Sequence, residues 1–189
     1  MQHPSSEVST VVTLLTAAVS PDIQQAAFHK YLTSDAGFRH PLCNVTPGPG
    51  SRDRLLGIYQ WYRILSPRLE IIVKNVVYDE LNNILLLDVV QIFHVWLSPF
   101  KPAPSRLLVR LTLREENGLY YIAFQEDFYH PDDFMSLLIP PLAPVIRTGL
   151  SVAASASDFY AKIGQLLGFW SISHDSAHET HGLYDGRSD

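Results

Sequence analysis

The stretch RLLVRLTLREENGLYYIAFQEDFY, residues 106–129, predicts two β-strands joined by a tight turn. Residues 106–115 alternate apolar and polar side chains, a pattern typical of a strand with one buried face. Asn117 and Gly118 both tolerate the positive φ angles of a type I′ turn, so they favour a hairpin that pairs residues 106–115 with 119–129. An antiparallel sheet is therefore the first expectation for this chain.

Two more strands are predicted immediately before this hairpin. RLEIIVKNVVYDE, residues 68–80, is rich in β-branched side chains, and a turn at residues 81–83 leads into ILLLDVVQIFHVWL, residues 84–97. A proline-rich loop over residues 98–105 then reaches the hairpin. Four strands joined by short connections predict one curved antiparallel sheet.

Three helices are predicted before the sheet, over residues 8–20, 23–32 and 51–65. Asp22 and Ser51 are typical N-cap residues, and each comes immediately before or at the start of a helical pattern. Strands that follow helices in this way indicate an α+β fold.

The residues after the sheet predict helices and a tail. FMSLLI, residues 134–139, suits a short helix capped by Asp132 or Asp133. Apolar side chains recur at helical spacing over residues 144–170, which predicts a C-terminal helix. The expected organisation is a flexible start over residues 1–7, a single domain over residues 8–170 and a disordered tail over residues 171–189.

Composition excludes several classes of protein. A formal net charge of −5 argues against a nucleic-acid-binding protein. No window holds the roughly 18 consecutive apolar residues that a membrane span requires. The single cysteine, Cys43, excludes an internal disulfide framework and favours a reducing compartment, so we expect a cytoplasmic protein.

No cofactor or metal site is predicted. The sequence has no glycine-rich phosphate loop, no cysteine pair and no G-x-S-x-G motif. His174, His178 and His181 have a spacing that suits a metal, but they lie in the polar tail, where solvated side chains are the simpler interpretation.

The order of the predicted elements resembles the nuclear transport factor two-like superfamily, also called SnoaL-like or ketosteroid-isomerase-like. The resemblance covers roughly residues 8–135 and rests on DAGFRHP before the third helix and GLYYIAFQEDFY as the last strand. IYQWYRILSP and QEDFYHPDD are most similar to an uncharacterised fungal branch. The resemblance implies an α+β cone, in which N-terminal helices pack into the curved sheet around an apolar pocket for a hydrophobic small molecule. Members include isomerases, dehydratases, cyclases, hydrolases and binding domains, so the resemblance does not fix the chemistry.

The strand at residues 84–97 supplies one set of candidate site residues. Asp88, His94 and Trp96 share one face of it, and both faces are mostly apolar, so we expect both to be covered. A buried carboxyl has a raised pKa, which suits a general base near neutral pH. The alternatives are a hydrogen-bonded structural Asp88 and a His94 at the rim of the pocket.

The last strand supplies a second set. Gln125, Asp127 and Tyr129 share one face, and Glu126 points to the other, so either Asp127 or Glu126 faces the cone. We expect Asp127 to be an alternative base, with Gln125 and Tyr129 as ligand contacts.

Aromatic residues of the third helix form a third set. Tyr59, Trp61 and Tyr62 are ligand-contact candidates, and Tyr62 could present its hydroxyl group to the pocket; the alternative is that these rings belong to the core. His40 lies either at the mouth of the cone or in a loop where it is hydrogen-bonded.

Two functions follow from these residues. The first is cofactor-free acid/base chemistry, with Asp88 or Asp127 as the base and Tyr62 or His94 as the hydrogen-bond donor to an oxyanion. The second is non-catalytic binding of a lipid-like ligand. Further expectations are a weak contact of residues 144–170 with a membrane surface and a homodimer through the sheet.

Overall fold

The computed structural model describes residues 1–170 of the chain. Two helices, two strands and a third helix come first, and four long strands then follow one another. The elements are α1 (Pro4–Thr16), α2 (Pro21–Tyr31), β1 (Leu32–His40), β2 (Cys43–Val45), α3 (Ser51–Leu65), β3 (Leu69–Asp79), β4 (Ile84–Phe93), β5 (Pro104–Glu116), β6 (Leu119–Tyr129), α4 (Pro131–Leu138), a short 3₁₀ turn (Pro140–Leu142) and α5 (Ala143–Leu166).

One mixed sheet contains the six strands of the described region, in the order β2-β1-β6-β5-β4-β3. All neighbours are antiparallel except β1 and β6, which are parallel. The α+β prediction with a curved sheet is confirmed, and β3 to β6 are its four long strands. Sequence analysis missed β1 and β2, because the segment before the third helix shows no strand-like alternation.

The predicted hairpin is confirmed. Asn117 and Gly118 have φ angles of 53° and 76°, and Glu116 pairs with Leu119 across the turn. The positive φ angles are those of a type I′ turn, whose twist matches that of the flanking strands. The turn therefore fixes the register of β5 against β6.

The start of the chain is part of the fold, which corrects the flexible start predicted for residues 1–7. Helix α1 begins at Pro4, and the Met1 side chain is only 4% exposed. The Met1 carbonyl accepts a hydrogen bond from the Tyr120 N–H at 2.8 Å. Glu7 Oε1 accepts bonds from the first backbone N–H groups, at 2.7 Å from Gln2 and 2.6 Å from His3.

The chain divides into two compact units, whereas a single domain over residues 8–170 was expected. The first unit is Met1–Ile146, and the second begins at Arg147 and contains most of α5. The predicted tail over residues 171–189 lies outside the described residues.

Three predicted helix caps are corrected. Ser20 caps α2 by accepting a bond from the Ile23 N–H at 3.3 Å, and Gly50 and His130 precede α3 and α4. The predicted caps lie one position further in or more, within the first turn of each helix; they are Asp22, Ser51 and either Asp132 or Asp133. Proline at the first position of α2 and α4 shifts the cap to the preceding residue.

The core of the first unit lies between the concave face of the sheet and helices α1 to α3. Alternate residues of β4, namely Leu85, Leu87 and Val89, are fully buried on that face. At β1 the sheet leaves no room for a side chain, since a Cβ atom on Gly37 would lie 2.4 Å from the Phe124 ring. The concave face also borders a cavity.

Candidate functional site

A cavity of about 150 Å³ opens at the concave face of the sheet. Strands β1 and β3 to β6 form its wall on one side, and α1, α3, α4 and two loop residues, Leu42 and Val95, contribute the other side chains. Most of the lining is apolar. The polar side chains in the lining belong to Thr16, His40, Tyr59, Tyr62, Gln91, Gln125, Asp127 and Tyr129.

A β-bulge in β6 brings three of these polar side chains to the cavity. Thr112 pairs with Phe124 and Leu113 pairs with Ile122, so Ala123 is an extra residue without a partner in β5. Strict alternation would place Ile122 and Gln125 on opposite faces, but both line the cavity. After the bulge, alternation resumes and directs Gln125, Asp127 and Tyr129 inward.

A chain of hydrogen bonds ends at the Asp127 carboxyl group. The Tyr59 hydroxyl donates to Gln125 Oε1 at 2.9 Å, and Gln125 Nε2 donates to Asp127 Oδ1 at 2.8 Å. The Tyr59 contact fixes the orientation of the Gln125 amide, so that its NH₂ group faces Asp127. Among residues 1–170, Asp127 Oδ2 has no hydrogen-bond partner.

The environment of Asp127 raises its pKa to about 7. Burial in the apolar cavity is the main cause, because removal from water disfavours the charged carboxylate. The hydrogen bond from Gln125 opposes this shift, since it stabilises the carboxylate, but it is the smaller effect. At neutral pH the group therefore exists in both forms, which suits a residue that takes up a proton and returns it.

Two neutral hydrogen-bond donors face the same cavity. Burial lowers the pKa of His40 to about 4, so its ring is neutral at pH 7. The Leu42 N–H donates to His40 Nδ1 at 3.2 Å, which places the ring proton on Nε2. Gln91 Nε2 donates to the Tyr129 hydroxyl oxygen at 2.5 Å, so the Tyr129 hydroxyl hydrogen remains to donate elsewhere. The two rings make an edge contact, with centroids 5.4 Å apart.

Tyr62 is a further aromatic residue of the cavity lining. Its ring centroid lies 6.0 Å from that of His40 and 6.5 Å from that of Tyr59, and its hydroxyl oxygen is 3.5 Å from Cys43 Sγ. Burial raises the pKa of the Tyr59, Tyr62 and Tyr129 phenols above its ordinary value. All three therefore keep their protons at neutral pH and remain donors.

Asp88 does not line the cavity; of its two expected placements, a base in the pocket and a hydrogen-bonded structural residue, the structure shows the second. It lies on the opposite, convex face, where Arg106 Nε and Nη2 donate to its two carboxylate oxygens at 2.8 and 2.6 Å. These bonds hold the pKa of Asp88 below its usual value, which makes the carboxylate a weak base. Alternation did not reveal this, because Leu86 and Val90 make the convex face of β4 apolar although they are only half-buried among residues 1–170.

His94, Trp96 and Trp61 also lie outside the cavity. Strand β4 ends at Phe93, so the alternation assumed for residues 84–97 stops before His94, whose Nε2 is 3.2 Å from Glu70 Oε1. Trp96 and Trp61 are 64% and 54% exposed. The cavity brings together six of the ten predicted site residues: His40, Tyr59, Tyr62, Gln125, Asp127 and Tyr129.

Gln91 is the polar cavity residue that sequence analysis missed. It lies on the β4 face opposite Asp88, together with Leu87 and Val89. A buried polar side chain on a strand face that is otherwise apolar must find a partner, and Gln91 finds Tyr129. A polar residue on an apolar strand face was recognisable from the sequence, but the prediction was based on the carboxylate of the opposite face.

The structure bears only in part on the metal and membrane predictions. Within residues 1–170, no group of three or more His, Cys, Asp or Glu side chains could hold a metal ion together. None of the helices in this range is long and apolar enough to cross a membrane. His174, His178 and His181 lie outside the described residues. A membrane-surface contact of residues 144–170 and a homodimer through the sheet stay predictions.

Comparisons with known proteins agree with this fold. The family model of the SigF NTF2-like domain matches residues 1–169. An NTF2-like protein from Anabaena variabilis is 15% identical, with 70% of this chain and 96% of that chain covered and a TM-score of 0.52. An NTF2-like protein of unknown function from Burkholderia pseudomallei is 11% identical, with 69% and 95% covered and a TM-score of 0.50. At these identities the likeness shows the fold alone. No curated protein matches the sequence. The fungal branch stays a prediction.

Proposed function

We propose, since this chain belongs to the family of SigF NTF2-like domains, that its cone binds a small hydrophobic carbonyl compound and transfers a proton within it without a cofactor. The observation that carries the proposal is the Asp127 carboxyl group, which has a pKa of about 7 and lies in an apolar cavity beside neutral donors. A group that titrates near the working pH is effective both as a base and as an acid.

The proposed reaction moves one proton between two carbon atoms. The Asp127 carboxylate removes a proton from the carbon next to the carbonyl group, and the C–H electron pair forms an enolate. The resulting Asp127 carboxylic acid then returns the same proton to another carbon of the conjugated system. The net change is the position of a double bond, so atoms and electrons balance with no oxidant or reductant.

Hydrogen-bond donors that stay neutral would stabilise the enolate oxygen. His40 Nε2–H and the Tyr129 hydroxyl are the donors not used by other protein groups in the described region, and both belong to the cavity lining. Donors fixed in advance stabilise a developing oxyanion, and losing one such donor typically costs about 10²–10³ in rate. Gln125 would serve as a positioning residue that holds the carboxyl group in place.

The test uses 3-cyclohexen-1-one, whose size suits a cavity of about 150 Å³, since an engineered cavity of about that volume binds benzene. Conversion to conjugated 2-cyclohexen-1-one is followed by ultraviolet absorbance. We expect the wild type to accelerate the conversion, and Asp127→Asn to lose about 10²–10⁴ of the acceleration. Asp88→Asn is the matched control, because it removes the same charge from the convex face, and it should leave the rate unchanged.

A non-catalytic binding protein is the second candidate, and the predominance of apolar residues in the lining favours it. It predicts that 3-cyclohexen-1-one binds to the wild type and to Asp127→Asn with no conversion above the buffer rate. An equal conversion rate for wild type and Asp127→Asn would overturn the proposed role of Asp127.

A further inference from the structure

A second depression lies beside the cavity, and the two share part of their walls. Phe93, Val95 and Leu137 line both. The second depression, here called the outer groove, has a volume of about 350 Å³. Its remaining lining residues are Pro67, Arg68, His94, Trp96, Ser98, Phe100, Pro102 and Pro140. The three shared side chains thus form the boundary between an inner and an outer space.

The outer groove is accessible, and most of its lining residues are apolar. Trp96 and Phe100 are exposed aromatic residues, and Pro67, Pro102 and Pro140 add further apolar surface. Contiguous exposed apolar surface of this kind marks ligand grooves and interaction sites on soluble proteins. A ligand confined to the inner cavity would leave this surface uncovered, whereas a longer ligand would cover it.

The charge of the outer groove limits what it can hold. Arg68 is the only Lys or Arg side chain in its lining, which contains no Asp or Glu. In residues 1–170, Arg68 takes part in no ion pair, unlike Arg106, which is paired with Asp88. An exposed guanidinium group that has no acidic side chain beside it in the lining favours the binding of a carboxylate group.

We infer that the outer groove binds the distal part of the ligand whose reactive end lies at Asp127, and that this ligand is an elongated apolar compound with a terminal carboxylate held by Arg68. The inference rests on the proposed function for the position of the reactive end. It adds the substrate class: a molecule too long for the inner cavity, apolar in its middle and acidic at its outer end.

Two ligands of equal chain length test the inference, namely decanoate and decan-1-ol. Binding to the full chain is measured by isothermal titration calorimetry, and competition is measured against 3-cyclohexen-1-one. We expect decanoate to bind and to compete with the short ketone, because its chain crosses the boundary into the inner cavity. Arg68→Gln should weaken decanoate about tenfold, corresponding to one charge-assisted contact, and leave decan-1-ol unchanged.

Arg54→Gln is the matched charge control. Arg54 is an exposed arginine of α3 outside the outer groove, and its removal changes the net charge by the same amount. It should leave decanoate binding unchanged. Equal weakening by both variants would mean that decanoate responds to overall charge, which overturns the role of Arg68.

A second variant tests the groove by filling it. Ser98 lines the outer groove and not the inner cavity, so Ser98→Trp should abolish binding of decanoate and decan-1-ol while 3-cyclohexen-1-one still binds and reacts. Ser5→Trp places the same ring on an exposed position of α1 and serves as the control. Unchanged decanoate binding in Ser98→Trp would overturn the inference.

The remaining outcomes separate the inference from the proposed function. If 3-cyclohexen-1-one reacts in an Asp127-dependent manner but neither decyl ligand binds, the inference fails and the proposed function stands. If decanoate binds in the outer groove without displacing the short ketone, the groove is a separate site and the inference fails. If decanoate binds as expected but the short ketone does not react, the proposed chemistry fails.

Discussion

Two aspartates on β6 and β4, two strands of one sheet with β5 between them, have opposite properties, and the face of the sheet decides which. Asp127 of β6 points into the concave face, where burial raises its pKa to about 7. Asp88 of β4 points to the convex face, where Arg106 lowers its pKa. The two side chains are chemically identical, so the difference between their pKa values comes from their exposure to water and from their hydrogen-bond partners. A carboxylate in a strand is therefore informative only once its face is known.

The two faces of the sheet also differ in the groups that their acidic side chains contact. The convex face carries ion pairs, such as Arg106 with Asp88 at 2.6 Å and Arg110 with Glu126 at 2.6 Å. On the concave face the hydrogen-bond partner of Asp127 is the neutral amide of Gln125. An arginine near Asp127 would keep it ionised and remove its ability to return a proton, so neutral partners are what the proposed chemistry requires.

The largest effect is expected from replacing the concave aspartate. The folded-state pKa of Asp127 exceeds the usual 3.8, so ionisation opposes folding, and stability is lost as pH rises from about 4 through 7. Asp127→Asn keeps the acceptor for Gln125 and removes the ionisation. It should raise the free energy of unfolding by about 4 kcal/mol at pH 8 and have little effect at pH 4, measured by urea denaturation.

Asp88→Asn is the comparison for that experiment, and its effect should have the opposite sign. The pKa of Asp88 is lowered in the fold, so its contribution to stability is present above about pH 4 and is lost as pH falls. The variant should be slightly less stable than the wild type at pH 8. If Asp127→Asn were no more stable at pH 8 than the wild type, the raised pKa of Asp127 would be contradicted.

A smaller effect on the free energy of unfolding is expected from His40. Its lowered pKa changes stability with pH in the direction opposite to the raised pKa of Asp127. His40 is neutral in the fold down to about pH 4, so its contribution to stability is lost as pH falls from 6.5 to about 4, by about 3 kcal/mol in all. Asp127 changes stability in the opposite direction over most of this range. The wild type should therefore have a flat dependence of stability on pH between 4 and 6.5.

Single variants should uncover the two opposing slopes. His40→Asn should become less stable as pH rises from 4 to 7, and Asp127→Asn should become more stable as pH rises from 4 to 6.5. Thermal melts at half-unit pH intervals provide the measurement. Parallel curves for the wild type and His40→Asn would show that His40 does not titrate as a buried group.

Replacing Val89 and Val90 in turn compares the packing of the two faces of the sheet, because the side chain is the same at both positions. Val89 is fully buried on the concave face, and Val90 is half-buried on the convex face. Val89→Ala should lower the free energy of unfolding by about 2 kcal/mol through lost burial and a larger cavity, and Val90→Ala by less than about 1 kcal/mol. Equal losses in urea denaturation would mean that the convex face is covered.

The smallest effect is expected from the ion pair on the convex face. Asp88 and Arg106 are both accessible to water, and salt screens such pairs. A double-mutant cycle with Asp88→Asn and Arg106→Gln should give a weak coupling that disappears at high ionic strength. A strong coupling that persists in 1 M salt, where the screening length is about 3 Å, would indicate that the pair is buried.

Sequence patterns predicted the elements better than the site. Asn117-Gly118 identified the hairpin, because few residues other than Asn and Gly adopt its positive φ angles. The parallel pairing of β1 with β6 could not be read from the sequence, since it joins residues far apart in the chain. The sequence could not tell which face of β4 lines the cavity, because both faces of the strand are rich in apolar side chains.

Alternation predicted the shared face of the β6 cavity residues and left open whether Asp127 or Glu126 faces inward, but it did not predict the bulge. Gln125, Asp127 and Tyr129 share a face by simple alternation, and the extra residue Ala123 lies before them, so it does not disturb their spacing. Ile122 lies on the other side of the bulge, and only the pairing of β5 with β6 reveals that it too faces inward. Alternation identifies neighbours on a face, but burial and partners depend on tertiary contacts.

The most direct test of the proposed role of Asp127 is a titration of its carboxyl carbon by ¹³C nuclear magnetic resonance. Asp127→Asn identifies the resonance by its loss, and the Asp88 resonance provides an internal comparison in the same spectra. We expect a midpoint of about 7 for Asp127 and one below the usual 3.8 for Asp88. A midpoint near 4 for Asp127 would contradict the proposed role, because the carboxylate would then be too weak a base for the proposed proton transfer.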